Sequence, residues 1–254
     1  MLEIVTLPVL TDNYIYIVHD PVSKETVLID PALSEPVLNV LNENGWRLNY
    51  ILNTHHHSDH VGGNLQIKHQ TGCKIIGAKA DWERIPGIDC GVDEGDTLKL
   101  GSHTIEVMTT PGHTRAHLVY YFPEDYLLFC GDTLFVMGCG RLFEGTPEQM
   151  WHSLQKIKSL PKATKIYCTH EYTQNNGRFA LSVEPGNQRL QQRMSEVNHL
   201  RINNQPTVPS TIAEECATNP FLREDSPEIR RNLNLITNDP IQLFASLRRL
   251  KDNF

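Results

Sequence analysis

Short runs of β-branched and aromatic residues, separated by turn residues, recur through the first two thirds of the chain. Such runs are typical of β-strands, and they predict strands at residues 4–9, 14–19, 26–30, 50–53, 73–76, 104–108, 118–122, 126–130 and 165–169. Apolar positions with helical spacing predict helices at residues 36–44, 61–69 and 148–159. The pattern therefore predicts a β-rich α/β domain over residues 1–171.

Helical spacing replaces the strand pattern beyond about residue 172. Helices are predicted at residues 175–182, 188–203, 227–234 and 240–251, with only short gaps between them. The length of 254 residues suits one large domain, or one medium domain with an appendage. We therefore expect a small helical domain over residues 172–254.

Histidine and aspartate residues stand just after four of the predicted strands. His55, His113, Asp132 and His170 each follow the end of a different strand. Loops at strand ends converge on one edge of a sheet, where active sites tend to lie. The sequence thus predicts that these four residues share one site.

The segment Thr54–His60 reads T-H-x-H-x-D-H. Imidazole nitrogen and carboxylate oxygen are good ligands for zinc or a similar ion, and so much potential positive charge in one turn is costly unless something binds it. Side chains alternate along extended backbone, so His55 and His57 are predicted to face one ion while His56 points between the ligands. Two cations can share a water and lower its pKa to about 7. The segment therefore predicts a metal pair that hydrolyses an activated carbonyl or a phosphoester.

Four motifs, taken together, resemble the metal-binding series of the metallo-β-lactamase superfamily. They are T-H-x-H-x-D-H at 54–60, P-G-H-T at 111–114, G-D-T at 131–133 and T-H-E at 169–171. Asp30, at the end of the strand predicted at 26–30, matches the early structural aspartate of that superfamily. The resemblance implies an α/β fold of the metallo-β-lactamase-like αββα sandwich type, followed by a small C-terminal helical domain.

The resemblance also implies two metal sites and the residues that serve each. One ion would be held by His55, His57 and His113. The second would be held by Asp59, His60 and His170, and Asp132 would bridge the two ions. Asp59 is also best placed to orient the hydroxide, which makes it the predicted catalytic residue. Zinc is the expected metal, and iron or manganese suits such mixed nitrogen and oxygen ligands as well.

Three further stretches resemble the glyoxalase II (hydroxyacylglutathione hydrolase) branch of the superfamily. They are residues 138–146, H-E-Y-T at 170–173 and L-R-R-L-K-D-N-F at 247–254. The resemblance implies hydrolysis of S-(2-hydroxyacyl)glutathione, chiefly S-D-lactoylglutathione, to glutathione and a 2-hydroxy acid, D-lactate, in methylglyoxal detoxification. Residues 172–254 would then form a glutathione-binding domain.

Candidate substrate-binding residues follow from the chemistry of glutathione, which carries two carboxylates. Arg141, Arg248 and Lys251 can meet these groups with charge-assisted hydrogen bonds. Tyr172 can donate its hydroxyl to a peptide carbonyl, and Phe143 supplies a wall. A different interpretation treats the cations near residue 250 as a solvated helix end that the helix dipole favours.

Other functions are also compatible with the sequence. A lactonase, a β-lactamase, a phosphodiesterase or a mononuclear iron persulfide dioxygenase would use the same fold. Asp132 stands where many β-lactamases carry cysteine, which disfavours that branch. A binding scaffold that has lost turnover is the alternative that is not an enzyme, and the full ligand set disfavours it.

Composition limits the binding partners and the cellular compartment that we expect for this protein. Acidic residues outnumber basic ones by 30 to 23, so broad nucleic-acid binding is not expected. No apolar run approaches about 18 residues, so no membrane span is predicted, and no signal peptide is visible. Six cysteines without a C-x-x-C pair indicate reduced thiols. We expect a cytoplasmic monomer that binds a small glutathione thioester, with Cys130 and Cys168 in its core.

Overall fold

Residues 1–235 and 239–254 are described by the computed structural model, and they form two units. The first unit comprises residues 1–109 and 116–131, and the second comprises residues 110–115 and 132–254. The predicted division into domains at residues 171 and 172 stays a prediction.

Ten strands, three α-helices and one short 3₁₀-helix (Lys79–Asp81) make up the first unit. The strands are β1 (Glu3–Val9), β2 (Asn13–Asp20), β3 (Glu25–Ile29), β4 (Arg47–Leu52), β5 (Lys74–Ala78), β6 (Cys90–Val92), β7 (Thr97–Leu100), β8 (His103–Thr109), β9 (Leu118–Phe122) and β10 (Leu127–Gly131). The helices are α1 (Glu35–Asn44), α2 (Ser58–Val61) and α3 (Asn64–Thr71). Most of the strands were predicted, but the short β6 and β7 carry too few residues to show a pattern.

Strands β1 to β6 form one sheet in chain order. Pairing is antiparallel from β1 to β3 and parallel from β3 to β6. The residues of β3 from Thr26 to Ile29 are fully buried, as expected of a parallel strand that is covered on both faces. Strands β7 to β10 pair antiparallel, each with the next along the chain.

The carboxyl ends of β3 and β4 set up the histidine segment. Asp30 follows β3 in the left-handed region, with φ 48°, so the chain turns sharply there. Asn53 follows β4, and the histidine segment continues into α2. The connection between β3 and β4 is α1, which ends at Gly45 with φ 65°, the usual left-handed helix end.

The second unit is mainly helical. Its helices are α4 (Pro147–Lys158), α5 (Thr173–Val183), α6 (Gln188–Ile202), α7 (Ile212–Thr218), α8 (Pro227–Asn232) and α9 (Pro240–Asp252). Its strands are β11 (Leu134–Phe135), β12 (Gly138–Cys139), β13 (Lys165–Cys168) and β14 (Ser210–Thr211), which pair β11 with β12 and β13 with β14. Helix α7 was not predicted, because its seven residues show no clear apolar repeat.

A buried carboxylate stabilises the turn between β11 and β12. Glu215 of α7 is fully buried and accepts hydrogen bonds from the backbone N–H of Met137, the Ser210 hydroxyl and the Asn219 amide at 2.8, 2.6 and 2.9 Å. Burial raises the pKa of the Glu215 carboxyl, although these donors oppose the shift. The β11–β12 turn therefore depends on a side chain about 78 residues away.

Replacement of Glu215 should unfold this region. We expect Glu215→Ala to lower the free energy of unfolding by about 3 kcal/mol or more, because several buried donors lose their acceptor. Chemical denaturation followed by circular dichroism measures the change. Glu83→Ala, at an exposed position, is the control. Equal stability of the two variants would contradict this role of Glu215.

Candidate metal centre and substrate pocket

The histidine segment of the first unit is anchored by the buried carboxylate of Asp30. Thr54 donates its backbone N–H and its hydroxyl to Asp30 Oδ1 and Oδ2 at 2.8 and 2.6 Å. His60 Nδ1 lies 3.0 Å from Asp30 Oδ2. One carboxylate thus holds both ends of the segment.

These bonds also decide which ring nitrogens face a metal. The Thr54 hydroxyl hydrogen points to Asp30, so its oxygen can accept from His55 Nδ1 at 3.0 Å. His55 and His60 then carry the proton on Nδ1 and leave Nε2 as a lone-pair donor. A metal-binding histidine usually has its second nitrogen held in this manner.

The donor atoms of the segment lie in two pairs. His55 Nε2 lies 2.9 Å from His57 Nδ1, and His60 Nε2 lies 3.5 Å from Asp59 Oδ2. Ligands of a tetrahedral ion at ~2.1 Å are themselves ~3.4 Å apart, so these separations suit a shared ion in each pair. Asp59 Oδ2 is oriented by Asn13 Nδ2 at 3.0 Å. The first unit therefore brings together the four ligands predicted within residues 54–60.

Two other histidines of the first unit have different surroundings. His56 Nδ1 lies 3.0 Å from Asp81, and its Nε2 lies 3.2 Å from Arg84. His117 is fully buried and stacks on His55, with ring centroids 4.9 Å apart. Gly131 has φ 50°, and a Cβ there would lie 2.8 Å from the His117 ring. Close packing against His117 therefore requires glycine in the G-D-T motif.

In the second unit, Asp132 lies between two predicted histidine ligands. Its Oδ2 is 3.4 Å from His113 Nε2, and its Oδ1 is 3.5 Å from His170 Nε2. Thr169 donates its hydroxyl to Asp132 Oδ1 at 2.5 Å. Each carboxylate oxygen thus faces one imidazole, which is the arrangement that a bridging carboxylate needs.

The loop that follows Asp132 orients His113. The carbonyl of Arg141 lies 2.9 Å from His113 Nδ1, so Nε2 is left for a metal. A Cβ at Gly140 would lie 2.0 Å from the carbonyl oxygen of Asp132 and 3.1 Å from His113 Nδ1. Glycine at 140 is therefore required for the loop to approach these two residues closely.

A pocket of about 450 Å³ opens beside these residues in the second unit. It is lined by the predicted ligands His113 and Asp132 and by all the predicted substrate residues, namely Arg141, Phe143, Tyr172, Arg248 and Lys251. The other lining residues are Phe135, Cys139, Asn175, Asn176, Asp252 and Phe254. The sequence could have suggested Asp252, which stands four residues after Arg248.

The predicted substrate residues differ in the exposed fraction of their side chains. Arg141 and Phe143 are each 63 % exposed, whereas Arg248 is buried. Tyr172 stacks on His170, with ring centroids 4.8 Å apart and planes 4° from parallel. Tyr172, which lines the pocket, is thus packed against a predicted metal ligand.

Lys251 has an unusual environment. Its pKa falls to about 8, first because the ammonium is partly buried and then because Arg248, Arg178 and Arg141 are near, while Asp252 opposes the shift. Its Nζ lies 3.5 Å from the carbonyl of Asn175. The side chain therefore loses its charge at a lower pH than an ordinary lysine does.

The cysteines near the site are thiols of high pKa. Burial raises the pKa of Cys139 to about 11 and that of Cys168 to about 12, and Cys130 is buried as well. A thiol must lose its proton to bind a metal. Cys139 and Cys168 are therefore protonated near neutral pH, and Cys130 and Cys168 are buried as predicted.

Comparison with known proteins assigns the chain to a family. The model of the metallo-beta-lactamase superfamily matches residues 9–170, and the model of the hydroxyacylglutathione hydrolase C-terminus matches residues 171–254. The hydroxyacylglutathione hydrolase of Methylococcus capsulatus is 53 % identical over 254 residues, which cover 100 % of this chain and 99 % of that protein.

The chain belongs to the hydroxyacylglutathione hydrolase family of the metallo-β-lactamase superfamily.

Solved structures agree on the fold. The BLEG-1 B3 metallo-beta-lactamase has a TM-score of 0.67 at 22 % identity, covering 87 % of this chain and 100 % of its own. The protein TTHA1623, in a di-iron-bound form, has a TM-score of 0.61 at 25 % identity, with the same coverage of 87 % and 100 %. The predicted metallo-β-lactamase fold and helical C-terminal region are confirmed. The histidine and aspartate groups on this fold indicate metal binding.

The described residues contain no helix that could cross a membrane. Among the helices of residues 1–235 and 239–254, none combines the length and the apolar character that a crossing requires.

Removal of the Asp30 charge should weaken metal binding without removing a predicted ligand. We expect Asp30→Asn to raise the dissociation constant for Zn²⁺ about 10- to 100-fold, because His55 and His60 lose their orientation. Competition of the metal-free protein with a chromogenic chelator measures the constant.

Asp81→Asn is the matched control for this prediction. Asp81 is also buried and also contacts a histidine, His56, which is not a predicted ligand. We expect this control to leave the dissociation constant for Zn²⁺ within twofold of the original. Equal losses in the two variants would instead indicate a general effect of removing a buried carboxylate.

Proposed function

We propose that this protein hydrolyses the thioester of S-(2-hydroxyacyl)glutathione, chiefly S-D-lactoylglutathione, to glutathione and a 2-hydroxy acid. One observation carries the proposal: a single pocket is lined both by predicted metal ligands, His113 and Asp132, and by cations that suit a substrate with two carboxylates. Family membership adds support, because the M. capsulatus relative is named hydroxyacylglutathione hydrolase.

We propose that two divalent ions, preferably zinc, are the cofactors. His55, His57 and His113 would hold one ion, and Asp59, His60 and His170 the other. Asp132 would bridge them, one carboxylate oxygen to each. When bound, such a pair polarises the thioester carbonyl and activates a water as the nucleophile. The donor set fits this assignment, since it consists of imidazole and carboxylate groups, and hydrogen bonds hold the Nδ1 atoms of His55, His60 and His113.

The protein's own groups would then bind and orient the reactants. Arg141, which is largely exposed, and Lys251 would attract the substrate carboxylates. Tyr172 would donate its hydroxyl to a peptide carbonyl, and the Phe143 ring would form a wall beside His113, 5.2 Å away. Asp59, held by Asn13, would orient the attacking water. No serine or cysteine nucleophile is required, because water attacks the carbonyl carbon; the C–S bond then breaks and glutathione leaves as a thiolate.

Several broader predictions accompany this function. We propose a metal-binding domain over residues 1–171 and a glutathione-binding domain over residues 172–254, in a cytoplasmic monomer that does not bind nucleic acid or membranes. Sedimentation and fractionation measurements test these points.

A thioester assay with metal counting tests the function directly. We expect metal-replete protein to hydrolyse S-D-lactoylglutathione, to carry two metal ions per chain, and to lose activity when a chelator removes them. Zn²⁺ added back should restore the rate. Turnover that survives complete removal of metal would contradict the proposal, and so would activity on lactones or phosphodiesters but not on the thioester.

The low pKa of Lys251 predicts a pH dependence of substrate capture. Below about pH 8 the ammonium is charged and attracts the substrate; above it the charge is lost. We therefore expect kcat/KM, which reports the groups of the free enzyme, to fall several-fold as the pH rises through about 8, mainly through KM.

Lys251→Arg provides the matched comparison for this pH dependence. A guanidinium remains charged throughout this range, so the alkaline fall in kcat/KM should disappear in this variant. Titration of the substrate affects both proteins alike and cancels in the comparison. An unchanged alkaline fall in Lys251→Arg would show that another group is responsible.

A further inference from the structure

The pocket contains a carboxylate whose position is unexpected for an anionic substrate. Asp252 is the last residue of α9 and lines the pocket together with Arg141, Arg248 and Lys251. Its side chain is 39 % exposed. A carboxylate at this position repels a substrate carboxylate, so its presence requires a separate explanation.

Helix stability does not provide that explanation. A negative charge in the last turn of a helix opposes the helix dipole. The order of the pair is also the less favourable one, because an acidic residue normally precedes its basic partner by four positions. Asp252 follows Arg248 instead. Another residue at position 252 would therefore stabilise this helix better than aspartate does.

Asp252 contacts the guanidinium of Arg248 most closely, and its Oδ1 also lies 3.7 Å from Arg141 Nε. Arg248 donates from Nε and from its terminal nitrogen Nη2 to Asp252 Oδ1 at 3.0 and 2.9 Å. The other terminal nitrogen, Nη1, donates to the carbonyl of Cys139 at 2.8 Å. Arg248 is 4 % exposed and lies over the ring of Phe221, 5.2 Å from its centroid. Its planar group is thus fixed between the end of α9 and the backbone at 139.

The backbone that Arg248 holds leads directly to a predicted metal ligand. Two residues beyond Cys139, the carbonyl of Arg141 holds His113 Nδ1 at 2.9 Å. Gly140, between them, packs closely against Asp132 and His113. Movement of this loop would therefore change the orientation of His113 and the position of the Arg141 side chain together.

We propose that Asp252 is a positioning residue: it fixes the guanidinium of Arg248, and Arg248 in turn holds loop 139–141 in the conformation that orients His113. Arg248 then acts mainly as a clamp on the loop, and most of its donors are engaged before substrate arrives. The direct attraction of substrate carboxylates falls to Arg141 and Lys251. The part of this inference that concerns substrate affinity rests on the proposed function, whereas the part that concerns His113 does not.

The experiment compares Asp252→Asn with Asp252→Glu and Arg249→Gln. The first keeps the shape of the side chain but removes its charge; the second restores a carboxylate. Arg249 is exposed on the same helix and is the control. Titration of the metal-free proteins with Co²⁺, followed by visible absorption, gives metal affinity without any need for turnover. Steady-state kinetics on S-D-lactoylglutathione give KM and kcat.

We expect Asp252→Asn to raise the Co²⁺ dissociation constant about fivefold to tenfold, somewhat less than loss of a direct partner of a ligand. KM should rise by a similar factor while kcat changes less than twofold. Asp252→Glu should recover most of both losses, and Arg249→Gln should match the original protein. The alkaline fall in kcat/KM should move to lower pH in Asp252→Asn, because Lys251 loses a neighbouring negative charge.

A second variant keeps the test decisive if Asp252→Asn folds poorly. Arg248→Lys retains the charge but cannot reach the Asp252 carboxylate and the Cys139 carbonyl with one planar group. We expect it to reproduce the loss of Co²⁺ affinity. Unchanged Co²⁺ affinity in folded Asp252→Asn or Arg248→Lys would overturn the inference. If the thioesterase activity itself is absent, the Co²⁺ titration still decides the positioning role.

Discussion

The three hydrogen bonds on the buried carboxylate of Asp30 are the interaction on which the ligand segment depends. Burial of a carboxylate is costly unless hydrogen bonds compensate it, and the left-handed backbone at Asp30 adds roughly 1–2 kcal/mol. Both costs are tolerated because Thr54 and His60 donate to this one group. In return, the ends of the segment are fixed and the protonated nitrogens of two histidines are determined before any metal binds.

A similar arrangement of threonine, histidine and carboxylate occurs in the second unit with different residues. A threonine stands directly before a predicted ligand in both cases: Thr54 before His55, and Thr169 before His170. Each threonine hydroxyl donates to a buried carboxylate, Asp30 or Asp132. The T-H dipeptide is therefore more than a ligand signal, because its threonine orients a carboxylate while its histidine supplies a lone pair. Preorganisation of this kind reduces the reordering that metal binding would otherwise require.

Features that depend on residues close together in the sequence could be predicted, whereas features that depend on distant residues could not. The strand ends and the T-H-x-H-x-D-H segment are local features, and alternation along the chain was enough to pair His55 with His57. Residues 90–92, 134–135 and 138–139 form strands too short to show a pattern. The role of Arg248 was also out of reach, because its partner carbonyl lies 109 residues away. Sequence reasoning gave Arg248 a contact with a substrate carboxylate, but it could not show that tertiary packing buries this side chain.

Electrostatic repulsion among the cations of the pocket connects stability with binding. Burial, followed by repulsion from Arg248, Arg178 and Arg141, lowers the pKa of Lys251 to about 8. Repulsion of this kind destabilises the free protein, and an anionic ligand relieves it on entry. Asp252 moderates the repulsion by one charge while it orients Arg248. A stronger attraction for substrate could therefore be obtained by removal of Asp252 only at the expense of the loop that holds His113, and this conflict explains why a carboxylate is kept among the cations.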